Sequence, residues 1–176
     1  MEKKIEKLLK NLEALAERRP MFNVPREAGE YLNLLVKINK PKKILEVGTS
    51  NGYSTIWLAH DNPQTKITTI EIKEDKVRMA KKNIRKASLT NVEIIHGDAM
   101  QELPKLKESF DLIFLDAIKK DYLNYLKLLK LNKGTIVIAD NILTHPSQVQ
   151  EYVNHVRKNF KSELINIGNG MEVTIL

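Results

Sequence analysis

The chain has 176 residues, 42% of them hydrophobic and 29% charged, with no cysteine and a formal net charge of +7. That balance suits one globular domain with its own core and excludes a disordered chain. No run reaches the roughly 18 apolar residues of a membrane span. No secretion signal is expected from Met1-Glu2-Lys3-Lys4, and the absent thiols remove disulfides and thiolate sites, which suits a reducing, cytoplasmic setting.

Ile5, Leu8, Leu9, Leu12 and Leu15 recur at helical spacing and predict an amphipathic helix ending near Arg19-Pro20. A second helix is expected after Pro25, burying Ala28, Leu32, Leu35 and Val36. From Lys42 the pattern changes to short apolar runs: Ile44–Val47, Ile67–Ile70, Val92–Ile95, Leu112–Leu115 and Thr135–Ile138. Helices are predicted between and after them, over 53–60, 74–88, 98–106, 120–130 and 146–159. Continuous apolar strands alternating with helices predict a parallel sheet covered on both faces, doubly wound, with its ligand crevice at the strand carboxyl ends. The tail differs: Ser162–Ile167 and Met171–Leu176 flank Gly168-Asn169-Gly170 and read as a hairpin. The expected fold is α/β and Rossmann-like: a mostly parallel seven-stranded sheet closed by an antiparallel hairpin. One domain is expected over 1–176, with helices in 1–40 and the α/β core in 41–176.

The first strand runs into Glu46-Val47-Gly48-Thr49-Ser50-Asn51-Gly52-Tyr53-Ser54 and then a helix. Such glycines allow a tight turn that brings backbone N–H groups to a ligand at the helix start. The dinucleotide fingerprint is not met, because Ser50 and Tyr53 stand where its second and third glycines belong. A cofactor without phosphates, such as S-adenosylmethionine, fits better, with its carboxylate on these N–H groups and the Ser54 hydroxyl. A plain strand-to-helix turn is the alternative. Glu71 ends the second strand 23 residues beyond Gly48 and is placed to accept ribose hydroxyls, although it could equally cap the following helix. After the third strand, His96-Gly97-Asp98-Ala99 lies where an adenine edge belongs, with Asp98 also suited to an N-cap.

Strand four ends at Asp116-Ala117-Ile118-Lys119 and strand five at Asp140-Asn141, both at one crevice. Asp116, Asp140 and Asn141 would gather three oxygen donors, a set that suits a hard divalent ion such as Mg²⁺. Lys119 nearby could act as a base. Strand-end caps and an ordinary Asp-Asn turn, with a solvated lysine beside them, remain open on spacing alone. His145 is a possible substrate contact or an exposed residue at a helix entry.

These motifs resemble the cation-dependent O-methyltransferases of the catechol and caffeoyl-CoA type. The similarity runs from about Met21 to the end. It is carried by Met21-Phe22-Asn23-Val24, the Leu45–Ser54 run, Thr69-Ile70-Glu71, Gly97-Asp98-Ala99, the Phe110–Lys119 stretch with Tyr122, and Asp140-Asn141-Ile142-Leu143. The resemblance implies that Asp116, Asp140 and Asn141 hold the metal and that Lys119 deprotonates the acceptor. It implies S-adenosylmethionine contacts from Val24, Glu46, Gly48, Ser54, Glu71, Ala99 and Asp116, and a small vicinal diol as acceptor. Two departures bear on acceptor choice and dimer contacts. Pro146 starts a helix almost directly after the metal pair, where the family carries a longer covering insertion, and only one clear helix precedes Met21. A homodimer is compatible with this reading.

Three other readings compete with this one. A metal-independent methyltransferase of RNA or protein would use the +7 charge, but no flipped-base loop is visible and the lysines alternate with glutamates along helices, as on solvated faces. A non-catalytic cofactor binder would have no use for Lys119. A dehydrogenase conflicts with Ser50 and Tyr53.

Overall fold

The computed structural model describes residues 2–18 and 22–176. Met1, the expected helix end at Arg19-Pro20, and Met21 at the start of the first matching stretch lie outside the described residues.

Helix α1 (Lys3–Arg18) buries Ile5, Leu8, Leu9 and Leu12, one stripe at helical spacing. Helix α2 (Arg26–Asn39) follows Pro25, whose fixed φ and missing N–H suit a helix entry. It buries Ala28, Leu32 and Val36, and Gly29 lets the Trp57 indole lie against its backbone, where any Cβ would overlap the ring. The strands are β1 (Lys43–Val47), β2 (Lys66–Glu71), β3 (Val92–His96), β4 (Leu112–Leu115), β5 (Ile136–Ala139), β6 (Lys161–Ile165) and β7 (Met171–Ile175). They form one sheet in the order β3-β2-β1-β4-β5-β7-β6. The first five are mutually parallel, and β7 runs antiparallel between β5 and β6. The expected fold class is therefore observed.

Helices α3 (Tyr53–Ala59), α4 (Glu74–Lys86), α5 (Ala99–Glu102), α6 (Tyr122–Leu128) and α7 (Pro146–Asn159) fill the crossovers. Alternation along β1 sends Ile44 toward the core under α1, α2 and α3, and Leu45 and Val47 toward the core under α6 and α7. Two predicted helices are shorter than expected. The 98–106 segment is one α-turn followed by a 3₁₀ turn over Leu103–Lys105, because Pro104 cannot donate to continue the ladder. The 120–130 segment begins as 3₁₀ at Lys119–Asp121 and ends at Leu128. No helix among the described residues is long and apolar enough to cross a membrane.

The chain winds from β1 outward to β3, then returns to β4 on the other side of β1. That reversal opens a crevice at the carboxyl ends of β1 and β4, where ligands bind in open α/β sheets.

Candidate active site

The crevice is built on Gly48. Its φ of 106° lies in the region that favours glycine, and a Cβ there would overlap the carbonyl oxygen of Asp116. The two strand ends therefore close on each other, with Asp116 N donating to Val47 O at 2.9 Å. Past the glycine, Ser50 adopts φ 48° and its N–H donates to Glu71 Oε2 at 2.8 Å. The other oxygen, Glu71 Oε1, accepts from Lys73 N at 2.9 Å. The Glu71 carboxylate is thus fixed by two backbone donors, with lone pairs left over. It lines a cavity of about 150 Å³ with Gly48, Ser50, Ala99, Asp116 and Tyr125. Asp98 does cap α5, accepting from Met100 N at 2.9 Å, and it also lines this cavity.

A second cavity of about 600 Å³ shares Ser50 and Asp116 with the first and adds Lys119, Asp140, Asn141 and His145. Lys119 Nζ lies 3.1 Å from Asp116 Oδ1. Burial pushes the Asp116 carboxyl above the ordinary carboxylate range, against the pull of the Lys119 ammonium. Asp140 is pushed up to about 6, first by burial and then by the negative charge of Asp116. Asp140 Oδ2 accepts from Asn169 Nδ2 at 3.3 Å. Asn141 stands at φ 68°, a left-handed conformation that asparagine tolerates better than most residues.

Two buried oxygens decide what the cavity can hold. Asp140 Oδ1 and Asn141 Oδ1 have no hydrogen-bond partner among the described residues. Buried polar atoms are rarely left so, and an ion or water bound at the site would satisfy these two. Among the described residues no three His, Cys, Asp or Glu side chains gather into a cation site. The donor set here is two carboxylates and an amide oxygen, all hard, which fits a Mg²⁺-type ion completed by water or substrate oxygens.

A profile of the O-methyltransferase family matches residues 2–172. The chain belongs to that family. Among its relatives are a catechol O-methyltransferase of Niastella koreensis, 40% identical over 145 residues, covering 77% of this chain and 66% of the relative. A caffeoyl-CoA O-methyltransferase of Stellaria longipes is 35% identical over 147 residues, covering 77% of this chain and 61% of that protein. The chain thus spans less than two thirds of the length of these curated relatives. An O-methyltransferase from Bacillus cereus, solved with S-adenosylhomocysteine (SAH), superposes with a TM-score of 0.83 at 27% identity, covering 100% of this chain and 92% of that one. The family resemblance read from the motifs is borne out.

Within this O-methyltransferase frame, the residues singled out from sequence fall into three groups. Gly48, Glu71, Ala99 and Asp116 meet at the first cavity, and Asp116, Lys119, Asp140 and Asn141 at the second. Val24, Glu46 and Ser54 line neither. Val24 packs in the core under α1 and α2 at 4% exposure, while its neighbours Phe22 and Asn23 face the second cavity. Glu46 is fully buried and accepts from Ser54 Oγ at 2.6 Å, Thr55 Oγ1 at 2.5 Å and Thr69 Oγ1 at 2.6 Å. The Ser54 hydroxyl is thereby spent on Glu46.

Asn23 and Asn169 also line the second cavity; the sequence places Asn23 in a matching stretch and Asn169 in a hairpin turn but assigns neither a site role. Asn23 Oδ1 accepts from Asn51 Nδ2 at 2.9 Å, tying the segment before α2 to the glycine turn. An Asn within three residues of a helix start carries no such signal by itself.

Proposed function

We propose that this chain is an S-adenosylmethionine-dependent O-methyltransferase whose acceptor is a small vicinal diol of the catechol type, assisted by a divalent cation. One observation carries the reading: Asp140 and Asn141, each with a buried oxygen that has no partner among the described residues, line a cavity together with Asp116 and Lys119, adjoining the one lined by Glu71. The relatives from Niastella and Stellaria, a catechol and a caffeoyl-CoA O-methyltransferase, support it.

In this mechanism Glu71 orients the ribose through its remaining lone pairs, while the glycine-turn N–H groups expected to take the cofactor carboxylate are committed within the protein: Gly48 and Thr49 donate to Ile70 O, Ser50 to Glu71, Gly52 to Thr49 O and Tyr53 to Asn51. Asp116, Asp140 and Asn141 hold the cation. When bound, S-adenosylmethionine would supply an electrophilic methyl whose bond to sulfur breaks as the new O–C bond forms, and a divalent cation would lower the pKa of the diol hydroxyls and orient them. Lys119 accepts the hydroxyl proton at Nζ as the new O–C bond forms. Phe22 and Ile118 form apolar walls in the same cavity, suited to a flat ring. Positioning then supplies most of the rate.

The test is calorimetric titration of Mg²⁺ into SAH-saturated protein, wild type against Asp140→Ala, followed by methylation of catechol against phenol. Saturable Mg²⁺ binding lost in the variant, with turnover of catechol alone, is the expected result. SAH binding without Mg²⁺ binding in the wild type would overturn the cation step.

A further inference from the structure

We propose that Asn169 is a positioning residue for Asp140, so that the turn of the C-terminal hairpin sets the donor geometry of the cation site; this rests on the cation reading above.

The sheet register brings the two segments together. Strand β7 pairs antiparallel with β5, Ala139 opposite Glu172 and Ile138 opposite Val173. The residues just before β7 therefore lie beside the residues just after β5. Backbone bonds lock them: Ile142 N donates to Gly170 O and Leu143 N to Asn169 O, both at 3.0 Å. Gly170 stands at φ 81°, and a Cβ there would overlap the Leu143 side chain, so turn and loop pack as one unit. Gly170 N donates back to Ile167 O at 3.0 Å and tightens the turn that presents Asn169.

From that turn, Asn169 Nδ2 reaches Asp140 Oδ2 at 3.3 Å. A carboxylate is planar, so holding one oxygen fixes where the other points. Asp140 Oδ1 is the oxygen left without a donor among the described residues. Asn169 is suited to this task because its amide N–H₂ donates but cannot ligate a cation, and it adds no charge to a site that already holds Asp116 and Asp140. Partners that orient a ligand in this way typically contribute a factor of about 10–100 in metal affinity.

The test is titration of Mn²⁺ into SAH-saturated protein, followed by the paramagnetic resonance signal of free Mn²⁺, for wild type, Asp140→Ala, Asn169→Ala and Asn169→Leu. Leucine keeps the volume of the asparagine without its donor, and both Asn169 variants keep the backbone bond from Leu143. Expected is a rise of about tenfold or more in the Mn²⁺ dissociation constant for both, with SAH affinity and melting temperature as in wild type. Wild-type Mn²⁺ affinity in either variant overturns the inference. So does a loss that comes together with a lowered melting temperature and weaker SAH binding, which would mark a merely structural role. Wild-type protein that binds SAH and no Mn²⁺ overturns the cation reading itself, and this inference with it.

Discussion

Replacing Glu46 by Gln should flatten a pH dependence that burial has built into the protein. Glu46 is fully buried on β1, and its carboxyl is raised from 4.5 to about 7 because removal from water outweighs the three hydroxyl donors around it. At 1.36 kcal/mol per pH unit, an ionised Glu46 costs the folded state about 3 kcal/mol. The sign follows from proton counting. Between about pH 4.5 and 7 the folded chain keeps this proton and the unfolded chain has lost it, so stability falls as pH rises through that window. Glu6 and Glu108 are held low by Arg26 and Lys43 respectively and titrate with the opposite sign, but they are common to both proteins and cancel in the difference. The hydroxyls of Ser54, Thr55 and Thr69 can rotate to serve a neutral amide. Urea unfolding from pH 4 to 8 on wild type and Glu46→Gln should therefore give stability curves that separate by about 3 kcal/mol in favour of Gln. Parallel curves across that range would refute the argument.

Three further substitutions test the packing that holds the site. Gly48→Ala must push a Cβ into the Asp116 carbonyl at a φ of 106°, and should cost about 1–3 kcal/mol in urea unfolding and weaken SAH at least tenfold by calorimetry. Arg157→Ala removes the Nε and Nη2 donors that hold the buried Glu172 carboxylate at 2.7 Å each; the expected loss is about 1.5–3 kcal/mol, the range for hydrogen bonds to a charged group, because Arg157 is itself half exposed and Ser162 Oγ still donates to the carboxylate. Leu9→Ala should cost about 2–5 kcal/mol by the same assay, because Leu9 is fully buried between α1 and the shared core; a loss under 1 kcal/mol would show α1 to be detachable.

The fold was legible because its signals are local. Five β-rich apolar runs separated by helical stretches fix a parallel sheet, and Gly168-Asn169-Gly170 between two such runs fixes a hairpin. The two strand-end clusters were legible for the same reason, since a doubly wound sheet brings all its carboxyl ends to one edge. What escaped depended on the third dimension. Glu46 is an acid next to the glycine turn, yet its place on β1 turns it toward Ser54, Thr55 and Thr69, away from both cavities. Asn169 carries only a turn signal in sequence, and it reaches Asp140 because β7 inserts between β5 and β6. The short helices at 99–102 and 122–128 were overread because apolar spacing does not register Pro104 or the 3₁₀ start at Lys119.

The charge distribution bears on the choice between a small acceptor and a nucleic acid. The net +7 arises from 29 basic against 22 acidic residues, and much of α1 and α4 mixes both signs, as in the pairs Lys10–Glu6 and Arg78–Glu74. A polyanion is drawn by a concentrated positive field at the point of chemistry. At the second cavity the reverse holds: Asp116 and Asp140 face a single lysine there, and that lysine is already paired at 3.1 Å. A phosphate backbone threading toward Lys119 would meet two carboxylates, whereas a neutral diol would meet donors and acceptors, and a dication would meet compensating charge. Methylation that is insensitive to added KCl between about 50 and 200 mM, a range over which phosphate contacts lose much of their affinity, is the expected behaviour. A steep fall over that range would move the acceptor toward RNA.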